Sequence, residues 1–266
     1  MSLTVAVAQY APTGDKTANL GVIEGLLRQA AERGARLVVL PEYATFTVPA
    51  MDNRFVESAE PLDGPTVTRI TEIAKELGLT VIAGVNETAD EGRIHNTLVG
   101  LQDGEIKAVY RKVHLYDAFG YKESDKVQAA DPGRPELIEV DGFTVGMQTC
   151  YDLRFPEVSR TLVDAGAEIL ALPAEWVPGP LKEYHWNTLI RARAIENTAY
   201  VVAADQCAPT GAGHSTVVDP MGIALAAVGE AQGLGIAVVE RERLDHVRTV
   251  NPALTLRRYG VVPADR

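Results

Sequence analysis

Two cysteines, Cys150 and Cys207, are all that 266 residues contain. That is too few for a disulfide scaffold, and a reducing, cytoplasmic setting is the expectation. Basic residues are also in short supply: 25 Lys and Arg face 36 Asp and Glu, a formal net charge of −11. Phosphate contacts need clustered positive charge, so this balance argues against a nucleic-acid partner. No run approaches the roughly 18–20 consecutive apolar residues of a membrane-spanning helix, which argues against a membrane partner. The first residues, MSLTVAVAQ, lack a basic leader and alternate like a strand, so they read as mature protein rather than a signal peptide. No linker, low-complexity segment or sequence repeat divides the chain. A single domain spanning residues 1–266 is expected.

What is present is ordinary globular material, 46% hydrophobic and 23% charged, with length enough for a sizeable core. Strand-like runs alternate with amphipathic helices. Residues 3–9 read as a strand, 17–33 as a helix stopped at Gly34, and Leu37-Val38-Val39-Leu40 as a short buried strand ending at Pro41-Glu42. A helix fits 65–77, opened by Pro65 and closed by Gly78. A strand follows at 79–86. Asp103-Gly104 and Asp141-Gly142 mark hairpins joining 94–101 to 105–110 and 136–140 to 143–149. Then come a helix at 156–165, a strand at 168–173, a helix near 181–197, a strand at 199–205, a hairpin over 214–228 and a last strand at 234–240. The tail from about 246 is basic, contains proline and reads as extended. Such a mixture predicts an α/β fold with mixed sheet in two layers covered by helices.

Three polar residues stand at or just past strand ends, where a rigid sheet can converge side chains from distant sequence. They are Glu42, Lys112 and Cys150. Singly, each has a bland reading: a loop carboxylate, a surface cation, a small buried hydrophobe. Together they supply what thiol chemistry requires. A thiol with a pKa of about 8.5 is mostly protonated at neutral pH. It needs a base to take the proton and a cation to meet developing negative charge. Cys207, in Asp205-Gln206-Cys207-Ala208-Pro209, keeps the structural reading. His114, His185 and His214 read as satisfied structural histidines. Arg191, Arg193 and Glu196 read as an ion-paired helix face. Arg154 is expected to order the turn after Cys150, direct contact with a substrate carboxylate being the alternative.

The motifs around these residues resemble those of the carbon–nitrogen hydrolase (nitrilase) superfamily. They are Pro41-Glu42-Tyr43, Arg111-Lys112-Val113-His114-Leu115 and Cys150-Tyr151-Asp152-Leu153-Arg154-Phe155-Pro156-Glu157. The likeness runs nearly end to end, through Gly84-Val85-Asn86-Glu87, His95-Asn96-Thr97, Arg191-Ala192-Arg193-Ala194-Ile195-Glu196-Asn197 and Asp219-Pro220-Met221-Gly222. It implies a four-layer α-β-β-α sandwich with two mixed sheets. It also implies a Glu-Lys-Cys triad: Cys150 as nucleophile, Glu42 as general base and acid, Lys112 meeting the oxyanion with the Tyr151 backbone N–H. A second glutamate that holds the lysine carries over to Glu123. Tyr151, Glu175 and Trp176 carry over as pocket residues. No metal or organic cofactor is implied. A homodimer or larger homo-oligomer is implied, with the helices after Cys150 and over 181–197 and the tail as contacts.

Within the superfamily, Tyr-Asp after the cysteine differs from the Trp-Glu of nitrilases and the Asn-Asp-Arg-Arg of carbamoyl hydrolases. It fits the compact, ω-amidase-like amidase branch, although the 117–124 loop departs from ω-amidase forms. The resemblance therefore implies hydrolysis of a small aliphatic amide to an acid and ammonia. A nitrile or N-carbamoyl amine hydrolase on the same triad, and a non-catalytic binding protein on this fold, stand as the alternatives.

Overall fold

The computed structural model describes residues 1–90 and 92–264. Along the chain run β1 (Ser2–Gln9), α1 (Lys16–Glu32), β2 (Leu37–Val39), α2 (Asn53–Ser58), α3 (Pro65–Leu77), β3 (Thr80–Thr88), β4 (Ile94–Gln102) and β5 (Glu105–Arg111). They continue with β6 (Leu137–Val140), β7 (Phe143–Met147), α4 (Pro156–Asp164), β8 (Ile169–Ala174), α5 (Lys182–Asn197), β9 (Tyr200–Asp205), β10 (Thr216–Val218), β11 (Ala224–Ala227), β12 (Gly233–Glu240), α6 (Arg241–Val250) and α7 (Ala253–Leu256). Two six-stranded sheets result, ordered β12-β1-β2-β3-β4-β5 and β11-β10-β9-β8-β7-β6. In each, three central strands are parallel (β1, β2, β3 and β7, β8, β9) and the flanking strands are antiparallel.

Period-2 alternation decides which side chain goes where. Val5 and Val7 of β1, Val145 and Met147 of β7, and Ile169 and Ala171 of β8 point into the core between the sheets. Ala6 and Ala8 face outward beneath Ile23 and Leu27 of α1 and Ile70 and Ile73 of α3. Leu170 and Leu172 face outward beneath Leu162 of α4 and Trp186 and Ile190 of α5. The result is the four-layer α-β-β-α sandwich expected from the sequence. Local chemistry sets the boundaries. Asp15 caps α1 by accepting from the Ala18 N–H, and Gly78 closes α3 in the left-handed conformation. Both residues of each Asp-Gly turn have positive φ, as a type I′ hairpin requires.

The tail corrects the reading of the sequence. Residues 246–250 are not extended but complete α6, and α7 follows. Leu244 and Val247, three apart, are fully buried on one face of α6. The basic residues around them mask that stripe in the sequence. Helix α2 was not anticipated either; the Asp52 side chain caps it and only Phe55 is buried on it. No described helix is long and apolar enough to cross a membrane.

One close approach ties fold to site. Strand β3 passes so near the segment after β2 that a Cβ on Gly84 would lie 2.6 Å from Glu42 Cα and 2.8 Å from Tyr43 N. Gly84→Ala must therefore displace the segment carrying Glu42. We expect a loss of about 2–3 kcal/mol and a Tm lower by about 5–10 °C. The same change at Gly25, where an added Cβ on α1 meets nothing within 4 Å, is expected to be neutral or stabilising by up to about 1 kcal/mol. Thermal unfolding of the two variants checks the contrast, and equal Tm values would refute it.

Candidate active site

The carboxyl ends of the parallel strands of both sheets meet, and there the predicted residues converge. Glu42 follows β2, Lys112 follows β5, Cys150 follows β7 and Glu175 follows β8. Lys112 is buried to 2% exposure between Glu42 and Glu123, themselves 1% and 2% exposed. Its Nζ donates to Glu42 Oε1 at 2.9 Å and to Glu123 Oε2 at 2.9 Å. Its backbone N–H donates to Asn96 O on β4, which fixes where the side chain starts.

Each carboxylate is fully committed. Glu42 Oε1 also accepts from Asn96 Nδ2 at 2.6 Å, and Oε2 from the Glu175 backbone N–H at 2.7 Å. Glu123 Oε1 accepts from Tyr43 Oη at 2.7 Å and Asn96 Nδ2 at 3.0 Å; Oε2 accepts from the Tyr116 N–H at 2.6 Å. Burial alone would push the Glu123 carboxyl up, but the Lys112 ammonium and these donors hold it below the usual range. Burial likewise works against the Lys112 charge, yet Glu123, Glu42 and Cys150 together keep its pKa well above the ordinary lysine value. This ammonium stays charged.

Cys150 opens a 3₁₀ turn, Cys150–Arg154, with φ +43°, a conformation unusual outside glycine. The turn is tied to β8, since Thr149 Oγ1 donates to Pro173 O at 3.0 Å and Cys150 Sγ donates to Glu175 O at 3.5 Å. Burial raises the thiol well above its ordinary pKa, the Glu42 carboxylate beside it raises it further, and Lys112 opposes. The thiol is therefore neutral at physiological pH and needs a base to become a nucleophile. Glu175 is held well above the usual carboxylate range by burial and by Glu42, and accepts from Thr47 Oγ1 at 3.2 Å.

Aromatic rings surround the cluster. Tyr151 meets Tyr116 edge to face at 5.1 Å, and Trp176 packs on Trp186 at 5.4 Å between ring centroids. The structure thus gathers Glu42, Lys112, Cys150, Glu123, Tyr151, Glu175 and Trp176 in one place. Arg154 does not order the Cys150 turn. Its guanidinium carbon lies 4.8 Å from the Trp176 ring centroid. The Leu153 carbonyl of that turn is instead held by Arg193 at 2.7 Å. Arg193 also pairs with Glu196 at 2.9 Å, as expected, whereas Arg191 donates to Gly222 O. Among the described residues, no cluster of three or more His, Cys, Asp or Glu is arranged to hold a metal ion.

Sequence reasoning missed three members. Asn96 bridges the two carboxylates. Tyr43 donates to Glu123. Lys182, at the first turn of α5 and 6% exposed, places Nζ within 4.9 Å of the ring centroids of Tyr116, Phe119 and Trp176. Asn96 gives no signal of its own, since it stands between the polar His95 and Thr97 of β4. Lys182 was detectable as a cation at a helix start, where the helix dipole disfavours it.

A carbon–nitrogen hydrolase family model matches residues 4–249. Deaminated glutathione amidase of Escherichia coli is 43% identical over 258 residues, covering 97% of this chain and 98% of that protein. The chloroplastic omega-amidase of Arabidopsis thaliana is 32% identical over 283 residues, covering 98% of this chain and 75% of that protein. The crystal structure of a carbon–nitrogen hydrolase from Helicobacter pylori superposes with a TM-score of 0.87 at 27% identity, over 97% of this chain and 96% of that one.

The Asn96 amide separates two buried like charges, so its chemistry is testable without the reaction. Asn96→Asp exchanges a donor for a third carboxyl group of equal size. We expect it to cost at least about 3 kcal/mol at pH 7. The new carboxyl, buried among anions, has a folded-state pKa raised above its unfolded value. The deficit relative to wild type must therefore shrink as pH falls through that folded pKa. Denaturant unfolding of both proteins at pH 7 and pH 5 measures this; a pH-independent deficit would contradict the electrostatic account.

Proposed function

The chain belongs to the carbon–nitrogen hydrolase family, in its amidase branch, and on that premise we propose that it hydrolyses a linear amide bearing a remote carboxylate, through a thioester on Cys150. The observation that carries the chemistry is the buried ammonium of Lys112 bonded to Glu42 beside the Cys150 thiol. The thiol proton passes to Glu42 as sulfur attacks the amide carbon. The oxygen that becomes negative is met by Lys112 and the Tyr151 backbone N–H. Glu42 then donates its proton to the departing nitrogen, and the C–N bond breaks to leave an acyl thioester. Glu42 next takes a proton from water, hydroxide adds to the thioester, and the acid leaves with the thiol restored. Glu123 holds the lysine throughout and exchanges no proton.

The carboxylate on the substrate is inferred from two cations that have no ion-pair partner among the described residues. Lys182 Nζ donates only to Tyr116 Oη, at 3.1 Å. Arg154 has a buried Nε without a partner, and its Nη2 reaches only His185 Nδ1, at 3.5 Å. That Nε–Nη2 edge is the fork that grips a carboxylate with two parallel hydrogen bonds. Other half-buried arginines donate to backbone oxygen: Arg191 to Gly222 O and Arg248 to Thr198 O. The nearby carboxyls are no substitute. Glu175 and Asp205 are both held well above the usual range, by burial first, and are engaged by Thr47 and the Trp176 N–H. The omega-amidase and deaminated glutathione amidase names of the relatives agree with such a substrate.

Ammonia release from succinamate and butanamide, and from glutaramate and pentanamide, compares carboxylate with methyl at equal chain length. We expect a kcat/KM ratio of about 10² or more in favour of the charged amide, reduced at least about tenfold in Lys182→Met and largely regained in Lys182→Arg. A ratio near one in the wild type would refute the carboxylate site and leave the amidase reading standing.

Cys150→Ala should lose at least about 10³-fold in kcat, and Glu42→Gln about 10²–10⁴-fold. The wild type should show an acyl adduct on Cys150 in quenched intact-mass spectra. Turnover above a tenth of wild type in Cys150→Ala would rule out the nucleophile. Preferential consumption of nitriles or carbamoyl amines would select the neighbouring reaction on the same residues.

A further inference from the structure

Asp152 lies two residues beyond Cys150 and is completely buried. Its carboxyl group reaches two parts of the chain at once. On the nucleophile side, Oδ2 accepts from the Thr149 N–H at 3.0 Å, and the Asp152 N–H donates back to Thr149 O at 2.9 Å. These bonds close the tight turn that holds Cys150 at positive φ. On the other side, Oδ2 accepts from Tyr110 Oη at 2.6 Å, and Oδ1 lies 2.8 Å from His114 Nδ1. Tyr110 and His114 are the residues two before and two after Lys112. The His114 ring is itself fixed by stacking on Phe155, at 3.8 Å and 10° between planes, on the far side of the same turn.

Lys112 and Cys150 come from different sheets, and neither sheet's hydrogen-bond ladder sets their separation. Backbone bonds anchor Lys112 to β4, and side-chain bonds anchor Cys150 to β8. A residue that grips the chain on both sides of the lysine and also closes the cysteine turn removes that freedom. We propose that Asp152 is a positioning residue that locks the Lys112 segment to the Cys150 turn through Tyr110 and His114, and so sets the distance at which the ammonium meets the reacting sulfur and oxygen. It touches no substrate and takes no proton. A loose coupling of this kind is costly, because electrostatic stabilisation in such a site depends on donors held within a few tenths of an ångström.

The inference rests on the amidase reading for its kinetic test but not for its chemical one. Asp152→Asn keeps the size and one acceptor, so the fold should persist. In the wild-type background we expect kcat on the amide panel to fall about 10²-fold with KM within about threefold. Iodoacetamide alkylation of Cys150, read by peptide mass so that Cys207 is resolved, should slow or shift to higher pH as Lys112 loses its grip on the thiolate. The decisive comparison is a cycle with the Tyr110→Phe/His114→Gln double variant. If Asp152 acts through those two residues, Asp152→Asn should have little further effect, under about threefold, in that background. A purely structural role would make the two losses multiply. Multiplying losses, or an Asp152→Asn enzyme with kcat and alkylation rate within threefold of wild type, overturn the proposal. A wild type that releases no ammonia from any amide sinks the amidase reading, and the alkylation cycle then decides the Asp152 question on its own.

Discussion

An ammonium ion cannot be withdrawn from water without anions to receive it, and the position of Lys112 governs the rest of the site. Burying such an ion costs several kcal/mol even after relaxation, and only paired, hydrogen-bonded geometry repays it. Here the pairing is double, with Glu42 and Glu123 both in contact with Nζ. Two carboxylates around one cation leave a surplus negative charge, and that surplus must be stabilised in turn. Asn96, Tyr43 and the backbone N–H groups of Tyr116 and Glu175 are aimed at it. The surplus is also what the proposed reaction moves. Before attack it resides on Glu42; in the tetrahedral intermediate it resides on the substrate oxygen, with Glu42 protonated. Lys112 adjoins both locations, so the net charge of the buried cluster would not change as that reaction proceeds.

The double-layered fold makes this convergence possible. Both sheets have three parallel strands in the middle and antiparallel strands outside, so each has a carboxyl end from which loops project. With the sheets face to face, Glu42 comes from the middle parallel strand of one and Glu175 from the middle parallel strand of the other. They meet at the Glu175 N–H···Glu42 Oε2 bond. The Glu175 carbonyl accepts from Cys150 Sγ, so a single residue at the end of β8 orients both the Glu42 carboxylate and the Cys150 thiol through its backbone. Backbone groups suit this task because they do not rotate away. The absence of a side chain at Gly84 lets the Glu42 segment sit low enough to be reached.

Much of the frame was legible in the sequence because its signals are local. Period-2 and period-3.6 patterns, Asp-Gly turns, Pro65 and Gly78 each act within a few residues, and strand and helix positions followed from them. The convergence of Glu42, Lys112 and Cys150 was legible only through motif resemblance, since nothing in them taken singly reveals that residues 70 and 38 apart will be brought to one site. What stayed hidden was relational. Asn96 looks like any strand asparagine until two carboxylates arrive from elsewhere. Arg154 seemed placed to serve its own turn, yet Arg193 from α5 takes the Leu153 carbonyl and leaves Arg154 free to lie on Trp176. Helix α6 was lost because Leu244 and Val247 alone mark its buried face amid Arg241, Arg243, His246 and Arg248.

The site is electrically lopsided, and that bears on how the proposed substrate would be oriented in it. At the reacting end, the single ammonium of Lys112 is outnumbered by Glu42 and Glu123. At the other end, Lys182 and Arg154 stand over aromatic faces, with the dipole of α5 adding to their positive field. The raised pKa of Glu175 keeps it from extending negative charge toward the cations. A neutral amide would be oriented there only through its dipole and its hydrogen bonds. A ligand with an anionic group at one end is drawn to Lys182 and repelled from Glu42, which presents its amide to Cys150. For the substrate proposed above, the same buried charges that make this region expensive to fold would impose a direction, which the apolar faces of Trp176, Tyr116 and Tyr151 could not impose alone.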